Sequence, residues 1–275
     1  MHMKKASSQK APRLIEYLAT LQDNGRLTFT KAEAIRALAL SPIAFNRAAE
    51  RLIGKRQLVH PSRGFFVVVP AEYRSAGAPP VSWFIDELMK FHEQPYYVGV
   101  LSAAALHGAA HQAPQEFQVV TNAPVRPIRA GRAKVHFLTK KWIERTPTQS
   151  IRTPYGDIPV STPEGTALDL VQYVHRAGHL SNVATVLIEL SEKLDSRKLA
   201  VAAQACGEIA AAQRVGYLLD AFATPKLTSD LHSWLEKCRP SFTSLRPNWK
   251  PPKSFQLKKE NKWRLFINEA VEPDI

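Results

Sequence analysis

The amino-acid sequence predicts an α+β protein that is mostly helical. Several segments place apolar residues at the three- and four-residue spacing typical of helices. Short β-branched runs collect between residues 116 and 160, and a series of helical patterns follows them, which favours α+β over a doubly wound sheet. With 275 residues, of which 45% are hydrophobic, the chain can form two domains with sizeable cores.

Two helices are predicted near the amino terminus. Residues 11–21 carry leucines at helical spacing, and the Asn24-Gly25 pair ends this first helix. Thr30 and Glu33 have the spacing of a capping box, in which each side chain bonds the backbone of the other, so they predict the start of a second helix. This second helix runs to about Leu40 and is followed by a tight turn.

The third predicted helix has two unlike faces. Ser41 is a good N-cap, and Pro42 suits the first helical position, where its missing N–H costs nothing. One arc of the helix is apolar and contains Phe45, Ala48, Ala49, Leu52 and Ile53. The opposite arc carries cations at positions i, i+4 and i+8, namely Arg47, Arg51 and Lys55. Two short strands, at residues 58–60 and 65–69, then flank a turn that contains Arg63.

This order of elements is that of a winged helix-turn-helix, in which the second helix of the pair enters the major groove of DNA and the hairpin tip touches the backbone or the minor groove. Arginine can bond guanine there and asparagine can bond adenine, so we predict base contacts from Asn46, Arg47 and Arg51. Phosphate contacts are predicted from Lys31, Ser41, Lys55 and Arg63. The alternative is that these cations form only a solvated helix face, which is common on protein surfaces.

The distribution of charge favours a nucleic-acid partner. The net charge is +13 at pH 7. Residues 1–80 hold 13 Lys/Arg and 5 Asp/Glu, and residues 226–275 hold 10 and 6, whereas residues 81–225 are nearly balanced at 14 and 13. A basic excess of this kind favours a polyanion such as DNA. A membrane surface fits less well, because no cationic helix also has a broad apolar face to expose.

The sequence also predicts the cellular compartment in which the protein is found. It has no apolar run of about 18 residues and no apolar core near its amino terminus, so we expect neither a membrane span nor a secretory signal. Cys206 and Cys238 are far apart and are the only cysteines, which indicates a reducing environment rather than a disulfide framework. We therefore predict a cytoplasmic protein.

A proline-containing segment at residues 71–81 lacks periodicity and is predicted to be a linker. We therefore expect a DNA-binding domain at residues 1–70 and a larger α+β domain at residues 82–275. The larger domain is predicted to contain a helix at 82–92, a helical segment of small residues at 96–108, strands at 116–121, 134–138, 151–153 and 158–160, and helices at 163–176, 180–193, 196–206 and 208–222.

The tail after Pro240 is basic and proline-rich, with aromatic residues between the charges. Such interleaving can bind single-stranded nucleic acid. More often an extension of this kind docks on the body of its own domain, and we favour that interpretation. Short strands are predicted at residues 242–246 and 263–267.

No motif in the sequence indicates an enzyme. His107 and His111 have the i, i+4 spacing of helical metal ligands, but Gly108 lies between them and no glutamate follows the first histidine, so packed histidines are favoured over zinc. Glu164 and Asp169 are five residues apart and do not form a carboxylate pair on one helix face. A glycine-rich phosphate loop and a nucleophile elbow are also missing. We therefore predict no catalytic residue, no metal and no cofactor.

Four motifs, in this order, resemble those of the AbiEi antitoxin family. They are YYVGVLSAAALHG at residues 96–108, QEFQVVT at 115–121, STPEGTALDLV at 161–171 and QRVGYLLD at 213–220. Together with the winged helix, the resemblance extends from about residue 10 to residue 225 and therefore covers both predicted domains.

The resemblance implies an antitoxin of a type IV toxin–antitoxin system that acts in abortive infection, a form of phage defence. It implies that the amino-terminal domain represses the protein's own operon by binding inverted repeats in the promoter. It further implies that the carboxy-terminal domain neutralises a nucleotidyltransferase-like toxin, encoded by the neighbouring gene, without forming a stable complex with it. No leucine-zipper seam is visible, so we expect a monomer in solution that pairs on the DNA.

A second group of cations lies in the larger predicted domain, in a connection between two strands. It consists of Arg126, Arg129, Arg132 and Lys134. We consider this group a candidate surface for antitoxin activity or for nucleic-acid binding, and a solvated loop is the alternative.

Two other functions are compatible with the sequence. A nucleic-acid-modifying enzyme could use the winged helix only for docking, and divalent-metal-dependent turnover of nucleic acid would favour it. A transcriptional regulator with a ligand-sensing second domain could have the same layout, and a locus without a toxin gene would favour that alternative.

Overall fold

A computed structural model describes residues 13–109, 114–250 and 256–274. The predicted α+β class is confirmed, with ten α-helices in this part of the chain. The chain divides into two compact units. The amino-terminal unit consists of the chain up to Glu93 together with Pro127–Val135 and Arg152–Asp157. The carboxy-terminal unit consists of Gln94–Arg126, His136–Ile151 and the chain from Ile158. The domain boundaries expected from the sequence differ from this division and remain a prediction.

The amino-terminal unit begins with the predicted series of helices and strands. Its elements are α1 (Leu14–Asp23), β1 (Thr28–Thr30), α2 (Lys31–Leu38), α3 (Pro42–Gly54), β2 (Leu58–Ser62) and β3 (Phe65–Val68). The three helices and the β2–β3 hairpin are confirmed, whereas β1, which has only three residues, was not predicted. Strand β1 pairs antiparallel with β3, so the sheet has the order β1-β3-β2. Phe66 stacks on Phe29 at 5.5 Å and meets Phe45 edge-on at 5.3 Å, which joins the sheet to α3.

The predicted capping box opens α2. The backbone N–H of Thr30 donates to Glu33 Oε2 at 2.6 Å, and the backbone N–H of Glu33 donates to Thr30 Oγ1 at 3.1 Å. Burial alone would raise the pKa of Glu33, but these bonds from Thr30 and the nearby Arg26 outweigh it and lower that pKa. These local hydrogen bonds therefore determine where α2 begins.

The segment predicted as a linker contains two short 3₁₀ turns, Ala71–Tyr73 and Val81–Trp83, and is followed by α4 (Ile85–Phe91). The ring of Trp83 packs against Tyr73 at 5.0 Å and against Tyr155 at 5.1 Å, within the same unit. Tyr73 in this segment thus has an aromatic contact inside the unit, and the role of residues 71–81 as a linker remains a prediction.

A six-stranded mixed sheet follows. It consists of β4 (Tyr96–Val98), β5 (Phe117–Thr121), β6 (Ile128–Ala130), β7 (Ala133–Thr139), β8 (Thr148–Thr153) and β9 (Gly156–Ser161), in the order β6-β7-β5-β4-β9-β8. The helical segment predicted at residues 96–108 is partly wrong, because the chain forms β4 before α5 (Val100–Leu106). Tyr96 and Tyr97 are good strand residues, and β4 is central, antiparallel to β5 and parallel to β9.

The helices of the carboxy-terminal unit are α6 (Pro163–Gln172), α7 (His179–Leu190), α8 (Ser196–Cys206), α9 (Ile209–Phe222) and α10 (Ser229–Cys238). The first four are confirmed. Helix α10 was not expected, because its buried residues are only Leu231 and Leu235 and the rest of the helix is largely polar. None of the helices in the described residues has the length and apolar character needed to span a bilayer.

The tail forms three short strands, β10 (Thr243–Ser244), β11 (Lys258–Glu260) and β12 (Leu265–Ile267), in the order β10-β12-β11. Leu245, Trp263 and Leu265 are buried in the same core as the helices. The tail is therefore docked on its own domain, as favoured from the sequence. Since Trp263 is only 2% exposed, it does not offer a stacking surface to a nucleic-acid base.

Candidate nucleic-acid interface

Helix α3 is positioned by its cap and its apolar arc. Ser41 Oγ accepts a hydrogen bond from the backbone N–H of Ala44 at 3.2 Å, as predicted for an N-cap. Phe45, Ala49 and Leu52 are buried and attach the helix to the rest of the unit. The cations of the opposite arc are consequently directed to solvent.

A groove of about 790 Å³ lies between α3 and the β2–β3 hairpin. Three of the residues predicted to bind DNA, Lys31, Asn46 and Arg63, line this groove. Lys31 Nζ donates to Asn46 Oδ1 at 2.8 Å, and the backbone N–H of Lys31 donates to the Gly64 carbonyl at 2.8 Å. Gly64 has a φ of +85°, a conformation that favours glycine. These bonds hold the start of α2, the side of α3 and the hairpin turn in one arrangement.

Two other predicted residues, Arg51 and Lys55, line a second recess of about 600 Å³ beside Arg13 and Leu40. Arg47 lies between the two groups on the helix surface, opposite the buried arc. The structure therefore spreads the predicted contacts across the whole exposed width of α3 instead of collecting them in one pocket. A surface of this width fits an extended partner such as a duplex better than a small molecule.

The predicted cations of α3 and the hairpin are available for a partner. Among the described residues, no ion pair engages Arg47, Arg51, Lys55 or Arg63, and all four are exposed. Ser41 differs from them because its hydroxyl already serves as the cap, so its contribution to binding would come from its position at the helix start.

Sequence reasoning missed Ile43. Its side chain is 67% exposed, one helical turn before Arg47 and on the same arc. An exposed apolar side chain on a helix that enters the major groove can contact the methyl group of thymine. The helical spacing that singled out Arg47, Arg51 and Lys55 was sufficient to find it.

The four cations predicted as a second surface do not lie in one unit. Arg129, Arg132 and Lys134 belong to the β6–β7 hairpin segment Pro127–Val135, which is part of the amino-terminal unit, whereas Arg126 belongs to the carboxy-terminal unit. Arg126, Arg129 and Arg132 are exposed, and Lys134 is half-buried.

The carboxy-terminal unit contains a buried charged cluster. Lys140 Nζ lies 2.9 Å from Asp169 Oδ1 and 3.6 Å from Glu208 Oε1, and the hydroxyl of Tyr97 donates to Asp169 Oδ2 at 2.9 Å. Burial would lower the pKa of Lys140, but Asp169 and Glu208 outweigh it and hold that pKa above its usual value. Tyr97 and Asp169 belong to two of the four motifs, and their role here is to join β4 to α6.

The motif at residues 213–220 contacts the tail that follows Pro240. Gln213 Nε2 donates to the carbonyls of Trp263 at 2.9 Å and Ser241 at 3.1 Å. Asp220 Oδ2 accepts from the indole N–H of Trp263 at 2.8 Å. Gly216 lies directly against the Trp263 ring, where a Cβ atom would clash.

The structure offers no obvious metal site in the part that it describes. No group of three His, Cys, Asp or Glu side chains is suitably arranged there. His107 is buried, with Nε2 at 2.7 Å from the Ser161 carbonyl, and burial lowers its pKa. His111, its proposed companion in the sequence, lies outside the described residues.

Comparison with known proteins defines the class of the larger domain. Residues 97–221 match the family model of the AbiEi antitoxin C-terminal domain. The resemblance carried by the four motifs is therefore confirmed, and the chain carries an AbiEi antitoxin C-terminal domain over these residues. This family is not an enzyme family, and the domain supports the role of an antitoxin in a type IV toxin–antitoxin system.

A solved structure extends the comparison to the fold of the whole chain. The crystal structure of the RV2827C protein from Mycobacterium tuberculosis superposes with a TM-score of 0.60 and covers 95% of each chain. The two sequences are 15% identical, so this likeness concerns the fold alone. No curated protein matches the sequence.

Proposed function

We propose that the chain binds double-stranded promoter DNA through its amino-terminal winged helix and represses its own operon. The observation that carries this proposal is the exposed arc of α3. Arg47, Arg51 and Lys55 stand on it without ion-pair partners in the described residues, opposite the buried Phe45. Cations on the helix that enters the major groove favour a DNA duplex over a merely solvated surface.

The contacts divide into two kinds. We assign base contacts to Asn46, Arg47 and Arg51, with Ile43 against a thymine methyl group. Phosphate contacts are assigned to Lys31, Ser41, Lys55 and Arg63. The bond from Lys31 orients the Asn46 side chain, whose carbonyl can still accept a second bond while its amide group donates.

We further propose that the protein is a monomer that pairs on inverted repeats, which place two half-sites about one helical turn apart. The AbiEi domain at residues 97–221 supports a second role, in which the carboxy-terminal domain neutralises a nucleotidyltransferase-like toxin without a stable complex. The neighbouring gene would encode that toxin, and the system would act in the cytoplasm during phage defence.

The experiment that tests DNA binding measures the affinity of the full chain for the duplex just upstream of its own gene, over a range of salt. Tight, salt-sensitive binding is expected, and Arg47→Ala/Arg51→Ala should lose it. The matched control is Arg197→Ala/Lys198→Ala, which removes two exposed cations from α8 and should bind like the unaltered protein. Binding no tighter than to random DNA would contradict sequence-specific repression.

A single substitution tests base recognition. Arg51→Ala should weaken binding to the upstream duplex by about 1–3 kcal/mol and relax the preference at one base position, because a bidentate arginine–guanine contact is lost. Competition with a panel of duplexes substituted at every position checks this. An unchanged preference across the panel would remove Arg51 from the base-reading set and leave it as a phosphate contact.

A further inference from the structure

The β6–β7 hairpin of the amino-terminal unit presents arginines in a fixed orientation. In β6 the neighbours Ile128 and Ala130 are buried, while Arg129 between them is exposed. This alternation is the pleat of a strand with one face on the protein, so the Arg129 side chain stands on the other face. Arg132 follows in the turn and is also exposed.

The turn of this hairpin is fastened to the backbone of the same unit. The backbone N–H of Arg132 donates to the Ala76 carbonyl at 2.9 Å. Gly131, with a φ of +56°, approaches Ala76 and Gly77 so closely that a Cβ atom would clash with their backbone. The backbone of the turn at Arg132 is therefore held in place, so binding through Arg132 need not order this backbone.

The hairpin also lies beside the proposed DNA-binding surface. Strand β6 packs against β2, the edge strand of the β1-β3-β2 sheet. Strand β2 also lines the α3 groove, through His60 and Ser62. Strand β2 thus contacts β6 and lines the groove beside α3, all within the amino-terminal unit.

The β6–β7 hairpin segment carries only positive charges. Pro127–Val135 contains Arg129, Arg132 and Lys134 and no acidic residue. Among the described residues, neither Arg129 nor Arg132 forms an ion pair. Two exposed guanidinium groups without acidic partners, next to a DNA-binding wing, match the phosphates of a continuing duplex.

We propose that Arg129 and Arg132 bind the phosphate backbone of the duplex beyond the segment contacted by α3 and the β2–β3 hairpin. This inference rests on the proposed DNA-binding function and extends its footprint. It assigns these two arginines to DNA and not to an antitoxin surface. Such contacts add affinity and fix the position of the protein, but they carry no sequence preference.

The test compares the full chain with Arg129→Ala/Arg132→Ala by fluorescence anisotropy, on the upstream duplex and on a random duplex of equal length. Each lost phosphate contact makes the slope of the log binding constant against the log salt concentration less negative by about 0.9. The slope of the double variant should therefore be less steep by nearly 2 on both duplexes. Arg129→Lys/Arg132→Lys should keep most of the slope. Arg197→Ala/Lys198→Ala should keep all of it. Thermal unfolding verifies that each variant is folded.

Shortening the duplex locates the contact. When the duplex is trimmed stepwise from each end, the difference between the unaltered protein and the double variant should disappear once the DNA no longer reaches the hairpin. An unchanged slope on both duplexes overturns the proposal, and loss of toxin rescue with an unchanged slope would assign the arginines to antitoxin activity. A lowered slope on random DNA, with no preference for the upstream duplex, would support the hairpin contact while contradicting the proposed operator.

Discussion

Replacing Lys140 by methionine should destabilise the carboxy-terminal unit by about 3–5 kcal/mol. Asp169 is fully buried, and Lys140 supplies the cation 2.9 Å from its carboxylate. Without that cation the unit must bury an uncompensated charge or protonate it. Urea denaturation followed by circular dichroism measures the loss.

Two variants make this prediction specific. Lys141→Met removes an exposed lysine next in sequence and should change the stability by no more than about 0.5 kcal/mol. Lys140→Met/Asp169→Asn removes both charges and keeps an acceptor for the Tyr97 hydroxyl, so it should recover much of the loss. If Lys140→Met unfolds at the same urea concentration as the unaltered protein, the buried pair is not a stabilising one.

The pH dependence of the Lys140→Met effect follows from the sign of the pKa shift. The folded protein raises the pKa of Lys140, so the stability that this lysine contributes is fully present below its ordinary pKa. It is lost only as the pH rises through the higher value in the folded state. The difference between the two proteins should therefore decrease in strongly alkaline solution. It should also decrease in acid, because burial raises the pKa of Asp169 and, without Lys140 to lower it, the variant protonates that carboxylate more readily.

Gly216→Ala should destabilise the carboxy-terminal unit by about 1–3 kcal/mol and loosen the tail, because the new methyl group would overlap the Trp263 ring. The same substitution at Gly54, which also lies in a helix, has nothing within 4 Å and should be neutral or stabilising by up to about 1 kcal/mol. Denaturant unfolding compares the two variants, and limited proteolysis reports on the tail.

A second substitution tests whether Trp263 causes the effect of Gly216→Ala. In a protein that already carries Trp263→Leu, the alanine has more room and should cost clearly less than in the unaltered protein. Equal costs in the two backgrounds would show that the close approach of α9 to the Trp263 ring does not limit this position.

Local signals allowed much of the fold to be predicted from the sequence. The helices with a predicted capping residue, Thr30 for α2 and Ser41 for α3, begin where that chemistry predicts. Elements that depend on distant partners were missed or misread. Strand β1 exists because it pairs with β3, and β4 interrupts a helix-like run because β5 and β9 flank it.

The same limit applies to the candidate site. Helical spacing predicted the exposed cations of α3, since one helix defines that face. It could not show that Lys31 bonds Asn46, fifteen residues away, or that the second group of cations is divided between the two units. These features come from tertiary contacts, for which a single sequence carries no signal.

We propose that the protein represses the promoter of its own operon by binding DNA through α3. The most direct measurement is the activity of a reporter gene fused to that promoter in cells that produce the full chain at a fixed level. We expect strong repression by the unaltered protein and by Arg197→Ala/Lys198→Ala, and loss of repression with Arg47→Ala/Arg51→Ala. If this last variant is produced at the same level and represses the promoter as well as the unaltered protein does, α3 is not the DNA-reading helix.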